Sequence, residues 1–504
     1  MKQQNQLSNL IPVANLLANF IAKLPLTKSA FVFAFCVAAA IASPAQTYTT
    51  LANFDLTNGA NPVSGVVQGF SGNFYGTAQV GGLNNDSGVV FEITASGNLT
   101  TLYSFCSQAN CADGETPYAA LVQATNGNLY GTTFGGGVND SGTVFEVTPA
   151  GKLVTLYSFC SQANCADGKY TYAPLMQARN GAFYGTTYEG GTNNEGTVFE
   201  ITPAGKLRTL YSFCSQANCT DGEFPRGGVI QAPNGNLYGT TVTGGIDGPF
   251  NGQGTIFEIT PAGKLTTVYI FCPQLGCADG ANPYAGLTQA SNGNFYGTTF
   301  AGGAKNNGTV FGITAGGKFT TLHSFCTWKN CLDGQDPAGG LVQATNGNFY
   351  GTTTSGGANG HGTIFEIAPS GAMSILYNFC AQTNCSDGLT PYAGLIQATN
   401  GIFYGTTVGG GSDDVGTVFS LSTGLAPFVE TLPTSGKVGA SVITLGNNLT
   451  GATSVTFNGT PATFTVISST QIKTTVPSGA TSGPVQVSGP DGTFNSNVVF
   501  RVTP

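Results

Sequence analysis

The 504-residue chain carries little charge and few of the residue types on which catalysis usually relies. Charged side chains make up 8% of it, histidine occurs twice and the formal net charge is -8. Disordered chains and coiled coils carry far more charge, so both classes are excluded. With four arginines in an acidic chain, nucleic acid is not an expected partner. Because triad and metal-hydrolase chemistry usually depends on histidine, its scarcity argues against both.

The first 45 residues have the pattern of a secretory signal peptide. Lys23 and Lys28 precede an apolar run from Ala30 to Ala42, and the small residues Ser43 and Ala45 match a cleavage site. The run is shorter than the roughly 20 apolar residues that span a bilayer. We therefore expect an exported protein, secreted or at the cell surface (periplasmic or extracellular), with no membrane span after signal removal.

Glycine, by contrast, is abundant, and a tandem repeat accounts for it. The 74 glycines follow no three-residue period, so they indicate many tight turns and not a collagen-like chain. The triplet Tyr-Gly-Thr recurs at intervals of 54 or 55 residues, with one interval of 58. A period slightly above that of WD40 repeats and near that of kelch repeats predicts a β-propeller. The repeated tyrosines are Tyr75, Tyr130, Tyr184, Tyr238, Tyr296, Tyr350 and Tyr404.

Each repeat contains four strand-like runs separated by turn signals. In the second repeat the runs are Ala120–Ala124, Asn128–Thr133, Gly142–Thr148 and Leu153–Phe159. Four antiparallel strands per repeat predict one propeller blade per repeat.

Two short turns predict tight hairpins within each repeat. Asn126-Gly127 suits a type I′ turn, which has positive φ at both residues. The segment from Thr148 to Lys152 suits a type I turn followed by Gly151 in the left-handed conformation.

The strand count predicts how the blades close into a ring. The seventh repeat ends at Leu421 without a fourth strand, and Thr50–Phe54 matches the fourth-strand residues Thr101–Phe105. We predict that this N-terminal segment supplies the outer strand of the last blade, which removes open sheet edges. The expected fold is all-β: a seven-bladed β-propeller closed by the N-terminal strand and followed by an immunoglobulin-like β-sandwich.

Glutamine occupies the same place in every first strand, and first strands line the axis of a propeller. We predict that these side chains form hydrogen bonds with the backbone of adjacent blades, because a residue repeated seven times serves the repeated geometry. The glutamines are Gln68, Gln123, Gln177, Gln231, Gln289, Gln343 and Gln397.

Twelve of the 13 cysteines form six C-x4-C pairs, and the remaining one, Cys36, lies in the predicted signal peptide. An even count in an exported chain favours disulfides. Metal binding is the alternative, although a structural zinc site takes four ligands and each pair offers two thiolates. The pairs are Cys106/Cys111, Cys160/Cys165, Cys214/Cys219, Cys272/Cys277, Cys326/Cys331 and Cys380/Cys385.

The loops after second and fourth strands emerge on one face, the long-loop face, where we expect ligand binding. Each Cys-x-Asp-Gly segment places an aspartate there, and Gly-rich loops add further acids. The structural alternative for each Asp-Gly pair is a turn in which the aspartate bonds its own backbone. Calcium is another alternative, although no loop matches a calcium-binding pattern, and no other cofactor is expected. The candidate binding residues are Asp113, Asp167, Asp221, Asp247, Phe250, Asp279, Asp333, His361, Asp387, Asp413 and Asp414.

Beyond Pro427 the repeat stops and short alternating strands follow. Val442–Gly446, Val455–Ala462 and Ile472–Pro477 match the G-x-x-V-x-I/T-x-G start, the V-x-F-N-G-x-x-A centre and the I-x-x-x-V-P end of the IPT/TIG family, which this segment resembles. The resemblance implies an immunoglobulin-like, non-catalytic module of a surface or secreted protein.

The repeats also resemble a known group. Their N-G-N-x-Y-G-T-T, G-G-x-x-x-x-G-T-V-F-E-I-T-P-x-G and T-x-L-Y-S-F segments are similar to the GloVer-type tandem repeat of bacterial exported, choice-of-anchor proteins. That resemblance implies no activity that could be assigned to individual residues. We therefore expect a signal peptide at 1–45, a propeller at 46–424 and an IPT/TIG domain at 425–504.

Two functions remain open at this stage. The first is an exported, non-enzymatic binding or scaffold protein whose long-loop face recognises a polymer such as a carbohydrate, or a protein partner. The alternative is a secreted carbohydrate-active hydrolase or lyase that uses the axial funnel, with Asp413 or Asp247 as acid or base. The near-identity of the repeats favours the binding protein, because an enzyme breaks such symmetry with unique polar residues. Those residues are sparse: Lys169, Arg226, Lys305, His323, Trp328, His361 and the adjacent pair Asp413 and Asp414.

Overall fold

The computed structural model describes residues 46–245, 252–273 and 276–503. The predicted signal peptide lies outside the described residues, as do Asp247 and Phe250. Gln46–Pro504 form one compact unit. Across the described ranges we find no helix that combines the length and the apolar character needed to cross a membrane.

Among the described residues the repeats form seven four-stranded antiparallel sheets in a propeller-like arrangement, and in six of these sheets the strands follow one another in chain order. The first strands are Val67–Gln68, Val122–Gln123, Met176–Gln177, Ile230–Gln231, Thr288–Gln289, Val342–Gln343 and Ile396–Gln397. The second strands are Phe74–Ala78, Leu129–Thr133, Phe183–Thr187, Leu237–Thr241, Phe295–Thr299, Phe349–Thr353 and Phe403–Thr407. The third strands are Val89–Ile93, Thr143–Val147, Thr197–Ile201, Thr255–Ile259, Thr309–Ile313, Thr363–Ile367 and Thr417–Ser422. The fourth strands are Leu99–Ser104, Leu153–Ser158, Leu207–Ser212, Leu265–Ile270, Phe319–Ser324 and Met373–Asn378.

The N-terminal strand completes the seventh sheet. Thr47–Asn53 pairs antiparallel with Thr417–Ser422, as the strand count predicts, and Tyr48 lies opposite Leu421. The Tyr48 ring also stacks on Tyr377 of the preceding sheet, with ring centroids 3.8 Å apart. The two ends of the repeat region are therefore held together by backbone pairing and by aromatic contact.

Each sheet is hydrogen-bonded to the next one around the molecule. A second-strand threonine donates its hydroxyl to a carbonyl that precedes the first strand of the following repeat, as Thr77 does to Ala119 (2.9 Å). Thr406 of the seventh sheet donates to the Ser64 carbonyl of the first repeat (2.8 Å), so the series of contacts returns to its start. The equivalent donors are Thr132, Thr186, Thr240, Thr298 and Thr352.

The first-strand glutamines bond the adjacent repeat, as predicted. Between the seventh and first repeats, Thr399 N donates to Gln68 Oε1 at 2.9 Å. Between the fourth and fifth repeats the donor position is occupied by Pro233, which has no N–H to offer. The glutamines that accept such a bond are Gln68, Gln123, Gln177, Gln231, Gln343 and Gln397.

The core between neighbouring sheets is aromatic and aliphatic. All five residues of the second strand Leu129–Thr133 are buried. The Tyr130 ring stacks on Phe183 of the next sheet, with centroids 4.2 Å apart. Because each sheet buries its faces against its neighbours, its strands need apolar residues in place of charge, which accounts for the low charge content.

The turn between first and second strands differs from the predicted type I′ turn. Gly127 N donates to Ala124 O, Ala124 N donates to Asn128 O, and Gly127 has a φ of +88°. Asn126 is not among the residues with positive φ. Its side chain instead donates to Tyr130 Oη (2.9 Å), so the three-residue turn has one left-handed residue, the glycine, like the other short turn.

The residues that precede the first strands converge around the axis of the repeats. A Cβ on Gly227 would lie 2.5 Å from Gly286 N, so only glycine permits this approach of two backbones. The convergence explains why the first strand of the second repeat spans two residues, Val122–Gln123, and not the predicted Ala120–Ala124.

Each C-x4-C pair is a disulfide, which confirms the prediction. The N-terminal strand leads into a shorter loop without cysteines, where Asp55 Oδ1 accepts from Thr57 Oγ1 (2.7 Å) and from Asn58 N (2.9 Å). Side-chain hydrogen bonds therefore close this loop. Five of the bridged loops contain short 3-10 helices, at Ala109–Cys111, Ala163–Cys165, Ala217–Cys219, Lys329–Cys331 and Thr383–Cys385.

The bridged loop that ends at Cys277 differs in backbone conformation from the other five, although all six share the C-x4-C spacing. Cys272 and Cys277 are joined, but no 3-10 helix precedes Cys277 among the described residues, which exclude positions 274 and 275. Gly276, with a φ of +92°, stands where the other five loops have a left-handed asparagine. The Cys277 carbonyl still accepts from Gly280 N (2.9 Å) and Gly303 N (2.8 Å), so the backbone bonds that follow the bridge are retained.

The C-terminal segment forms two four-stranded sheets and a two-stranded parallel pair. One sheet has the order Glu430–Leu432, Ser441–Leu445, Gln471–Thr475 and Phe464–Val466. The other has the order Thr460–Ala462, Ser454–Phe457, Val485–Gly489 and Gly492–Asn495. Ser435–Lys437 pairs with Arg501–Thr503, and Leu449–Gly451 is a 3-10 helix. Val442 and Ile472 of the first sheet share a buried core with Val455 and Val487 of the second, so the two sheets pack face to face.

Residues that flank the strands of the C-terminal segment contact the short turns of the repeats, at the end opposite the long loops. Phe428 N donates to Thr399 O (2.9 Å), and Asn447 Nδ2 donates to Thr399 Oγ1 (3.0 Å). Thr470 Oγ1 donates to Phe70 O (2.8 Å). The long-loop face is therefore the end of the repeat region away from these contacts.

Candidate functional site

A cavity of about 310 Å³ lies on the axis of the repeats, and every repeat contributes to its lining. The contributing segments immediately precede the first strands, so the cavity lies toward the long-loop face. Its volume is at the lower end of the roughly 300–1,000 Å³ that small-ligand sites occupy. One position contributes a lining residue in every repeat, including all four tyrosines and the arginine of the lining: Val63, Tyr118, Tyr172, Arg226, Tyr284, Ala338 and Tyr392.

The local sequence explains why this position faces the axis. A proline precedes it in six of the seven repeats, as Pro225 precedes Arg226, and its ring fixes the local φ. The residue before that, Phe224 in this repeat, has a positive φ of 54°. A sharp bend followed by a restrained residue therefore directs the chain from the long loop toward the axis.

Arg226 lies among three tyrosine rings. Its guanidinium carbon is 4.4 Å from the ring centroid of Tyr284, 4.9 Å from that of Tyr172 and 5.6 Å from that of Tyr392. Arg226 Nη2 also donates to Tyr392 Oη at 2.7 Å. Ring faces attract a cation, so these tyrosines hold the guanidinium in place without neutralising its charge.

Tyr172 and Tyr392, which lie next to Arg226, remain neutral well into alkaline solution. Burial, together with neighbouring Tyr118, raises the pKa of Tyr172 to about 12, while the Arg226 charge acts in the opposite direction. Burial likewise raises the pKa of Tyr392 against the lowering effect of Arg226. At neutral pH these phenols are therefore hydroxyl groups that can both donate and accept hydrogen bonds.

A second layer of aromatic residues surrounds the cavity lining on one side. Phe134 follows the second strand of its repeat and packs on Tyr118 (5.5 Å between centroids) and Tyr172 (4.9 Å). Tyr188, at the same position of the next repeat, packs edge-on against Tyr172 at 5.2 Å. Stacked rings of this kind support the orientation of the lining tyrosines.

Acidic side chains occur in the loops next to this aromatic layer. Burial, with the charge of Asp140, raises the pKa of Glu115. Burial also raises the pKa of Glu195, to which the charges of Glu223 and Glu189 contribute. Carboxylates therefore lie in the loops beside the part of the cavity lining that is richest in aromatic residues.

The six Cys-x-Asp-Gly aspartates do not lie in the cavity lining. Asp113 is fully buried, and its carboxylate accepts from Ser107 N (3.0 Å), Gln108 N (3.0 Å) and Tyr103 Oη (2.7 Å). In the fifth repeat His323 replaces the tyrosine and lies 3.0 Å from the carboxylate of Asp333. These aspartates therefore bond the backbone of their own loops, as the structural alternative for each Asp-Gly pair predicts. The other members are Asp167, Asp221, Asp279 and Asp387.

The disulfide cysteines also lie outside the cavity lining. Asp279 shows how its loop differs from the others, because its carboxylate accepts from Cys272 N (3.1 Å) as well as from Tyr269 Oη (2.9 Å). Asp279 thus binds the backbone at the first cysteine itself, whereas Asp113 binds the residue that follows its first cysteine. The bridged cysteines, Cys277 included, have a structural role in these loops.

The remaining described candidates, His361, Asp413 and Asp414, lie in the long loops and outside the cavity lining. Asp414 Oδ1 accepts from Gly410 N (2.9 Å), whereas Asp413 is exposed. The His361 ring lies within 4.8 Å of the sulfurs of Cys380 and Cys385. Those sulfurs are joined in a disulfide, so they do not offer the thiolates that a metal site requires.

Sequence reasoning marked Arg226 as unusual but missed its surroundings. The signal was available in the repeats themselves, because a proline precedes this position in six of the seven repeats while the position itself varies among tyrosine, arginine, valine and alanine. Among the described residues of the lining, Arg226 is the one charged side chain and none is a carboxylate. The arrangement can bind a ligand through ring faces, hydroxyls and one cation.

Fold and site together define a tandem-repeat, all-β protein with a small-ligand cavity on its axis. The pattern of the Gloeobacter/Verrucomicrobia repeat matches residues 40–249 and 246–467. The chain belongs to the Gloeobacter/Verrucomicrobia repeat family, which confirms the GloVer-type repeat expected from its motifs. No curated protein matches the chain.

Solved structures similar to the chain are distant. Puromycin hydrolase is 13% identical, with 88% of this chain and 60% of that chain covered and a TM-score of 0.45. An auxiliary nutrient binding protein from Bacteroides ovatus is 13% identical, with 75% and 76% covered and a TM-score of 0.40. A putative gluconolactonase is 14% identical, with 61% and 88% covered and a TM-score of 0.35. Similarities at this level carry no argument about function.

Proposed function

We propose that the chain is an exported, non-enzymatic binding protein whose axial cavity, open toward the long-loop face, recognises a carbohydrate. The single observation that supports this proposal is the cavity lined by four tyrosines and Arg226. Tyrosine rings pack against the C–H faces of sugars, and their hydroxyls bond sugar hydroxyls, so a ligand can be held without a reactive group. A polymer would enter the cavity by one end.

In this proposal the repeats form a closed seven-bladed propeller over residues 46–424. Residues 425–504 are then an IPT/TIG domain that acts as a spacer or docking module on the short-turn end. Residues 1–45 direct export as a signal peptide, and the product is secreted or displayed at the cell surface. The six disulfides are compatible with an extracellular or periplasmic location, since such bonds persist in oxidising compartments.

A glycan array probed with the purified protein tests the binding function. We expect binding to a defined set of sugars, unchanged by addition or chelation of calcium. Tyr284→Ala removes one ring of the lining and should weaken that binding roughly 10-fold, the cost of losing about 1.4 kcal/mol of contact. Tyr103→Phe is the matched control, because Tyr103 bonds Asp113 inside a loop away from the cavity.

The hydrolase or lyase alternative makes a different prediction for the same experiment. Glycoside cleavage needs two carboxylates about 5–10 Å apart around the bond. Cleavage of the bound sugars, measured by the release of shorter products, would favour the enzyme. Absence of any bound sugar from the array would remove the carbohydrate proposal itself.

A further inference from the structure

We infer that the axial cavity selects a sugar that carries a single carboxylate, such as a chain-terminal uronic acid, and that Arg226 binds this carboxylate. The inference rests on the proposed function and specifies its ligand. Among its described residues, the cavity lining contains one positive charge, that of Arg226, and no negative charge.

The charge of Arg226 is not neutralised by any described residue. The ion pairs of the described part of the chain are Lys169–Glu189, Arg208–Glu200 and His323–Asp333, and none includes Arg226. Its one hydrogen bond goes to the neutral phenol of Tyr392. A guanidinium has further N–H donors in a planar fork that matches the two oxygens of a carboxylate. Arg226 therefore has N–H donors available to an anion that enters the cavity.

Position and environment strengthen this attraction. Arg226 is half-buried between ring faces, where a charge is screened less than at an open surface. The chain as a whole is acidic, with 24 Asp and Glu against 16 Lys and Arg. One cation held at the axis of such a protein indicates a specific anion site and not a general attraction for negatively charged polymers.

The rest of the lining indicates what kind of anion fits. Phosphate recognition usually recruits several cations or a row of backbone N–H groups, whereas here one guanidinium stands among tyrosines and small residues. Ring faces and phenolic hydroxyls suit a body with C–H faces and hydroxyl groups, as in a sugar ring. The acids of the neighbouring loops that form no described ion pair, Glu115, Glu195 and Glu223, repel a polyanion but not a neutral chain with one acidic end.

Calorimetric titration with three matched probes tests the inference. The probes are a disaccharide that ends in glucuronic acid, the methyl ester of that disaccharide, and its glucose-terminated counterpart. We expect the wild-type protein to bind the acid roughly 10- to 100-fold more tightly than either neutral probe, the range that a charged hydrogen bond supplies. The preference should shrink in high salt.

Arg226→Gln should bring the affinity for the acid down to that for the ester. Arg226→Lys should retain part of the preference, because it keeps the charge without the planar fork. Lys152→Gln is the control, since Lys152 is exposed in a short turn away from the long-loop face. Circular dichroism and melting temperature establish that each variant is folded, and the comparison of acid with ester needs the wild-type protein alone.

Equal binding of all three probes overturns the inference and leaves the carbohydrate-binding function standing. The same holds if Arg226→Gln retains the preference for the acid. If neither these probes nor any sugar of the array binds, both the inference and the proposed function fail.

Discussion

Replacement of Asp167 tests whether the six Cys-x-Asp-Gly aspartates stabilise their loops or bind a ligand. Asp167 is fully buried, and its carboxylate accepts from Tyr157 Oη (2.8 Å), Ser161 N (2.9 Å) and Gln162 N (3.1 Å). Asp167→Ala leaves these three donors without their acceptor. Each orphaned buried donor costs about 1–3 kcal/mol. Because Ser161 and Gln162 are exposed enough for water to replace part of the loss, we expect a total of about 3 kcal/mol.

Two further variants separate the hydrogen bonds from other effects. Asp167→Asn keeps one oxygen acceptor but turns an NH2 group toward a donor, so its loss of stability should be smaller than that of the alanine variant. Asp413→Ala is the matched control, because Asp413 is exposed and accepts a hydrogen bond from the neighbouring Ser412 Oγ. An exposed substitution of this kind changes the free energy of unfolding by about 0.5 kcal/mol or less.

Guanidinium denaturation followed by far-ultraviolet circular dichroism measures the free energy of unfolding, and amide hydrogen exchange over residues 160–168 locates the change. We expect faster exchange in that loop for Asp167→Ala and normal exchange for Asp413→Ala. If the two variants are equally stable and the loop stays protected, the carboxylate does not organise the loop. A ligand-binding role for the six aspartates would then be the better explanation.

The disulfides and the buried tyrosines each give a further prediction about stability. Replacing Cys160 and Cys165 together by serine should lower the free energy of unfolding by roughly 2 kcal/mol on the chain-entropy estimate, and an unchanged melting temperature would contradict it. At alkaline pH, burial raises the pKa of Tyr103 and Tyr172 to about 12 in the folded protein, whereas an unfolded tyrosine ionises near pH 10. The stability that these two groups contribute is fully present below about pH 10 and is lost as the pH rises toward about 12. Denaturation midpoints should therefore fall across that interval, less steeply in Tyr103→Phe, and a flat profile would refute the argument.

The scaffold was largely predictable from the sequence because its contacts are repeated. A glutamine at the same place in every first strand has to serve a geometry that recurs in every repeat, and Gln68 does bond the neighbouring repeat. The pairing of Thr47–Asn53 with the seventh sheet followed from a missing strand. The turn at Asn126 was mispredicted because the dipeptide Asn-Gly fits two turn types, and the Asn126 bond to Tyr130 favours the other one.

The site was harder to predict because its residues are distant in sequence and are not repeated. Tyr172, Arg226 and Tyr284 come from three successive repeats, and they meet because the segments before the first strands converge on one cavity. The aspartates posed the opposite problem. Asp-Gly has the same appearance in a structural turn and in a binding loop, and only burial and hydrogen bonding distinguish the two.

The difference between constant and varied positions explains how near-identical repeats can carry an asymmetric site. Glutamine in the first strand and threonine in the second form contacts between sheets, so a change at either position would weaken the packing of one sheet against the next. The position of Arg226 faces the cavity, where a new side chain alters the ligand surface without breaking those contacts. Arginine in one repeat and tyrosine in four others thus place one positive charge off-centre in an aromatic cavity. A ligand with one acidic end and one neutral end can be bound in a single orientation by such a surface, which a fully symmetric ring could not impose.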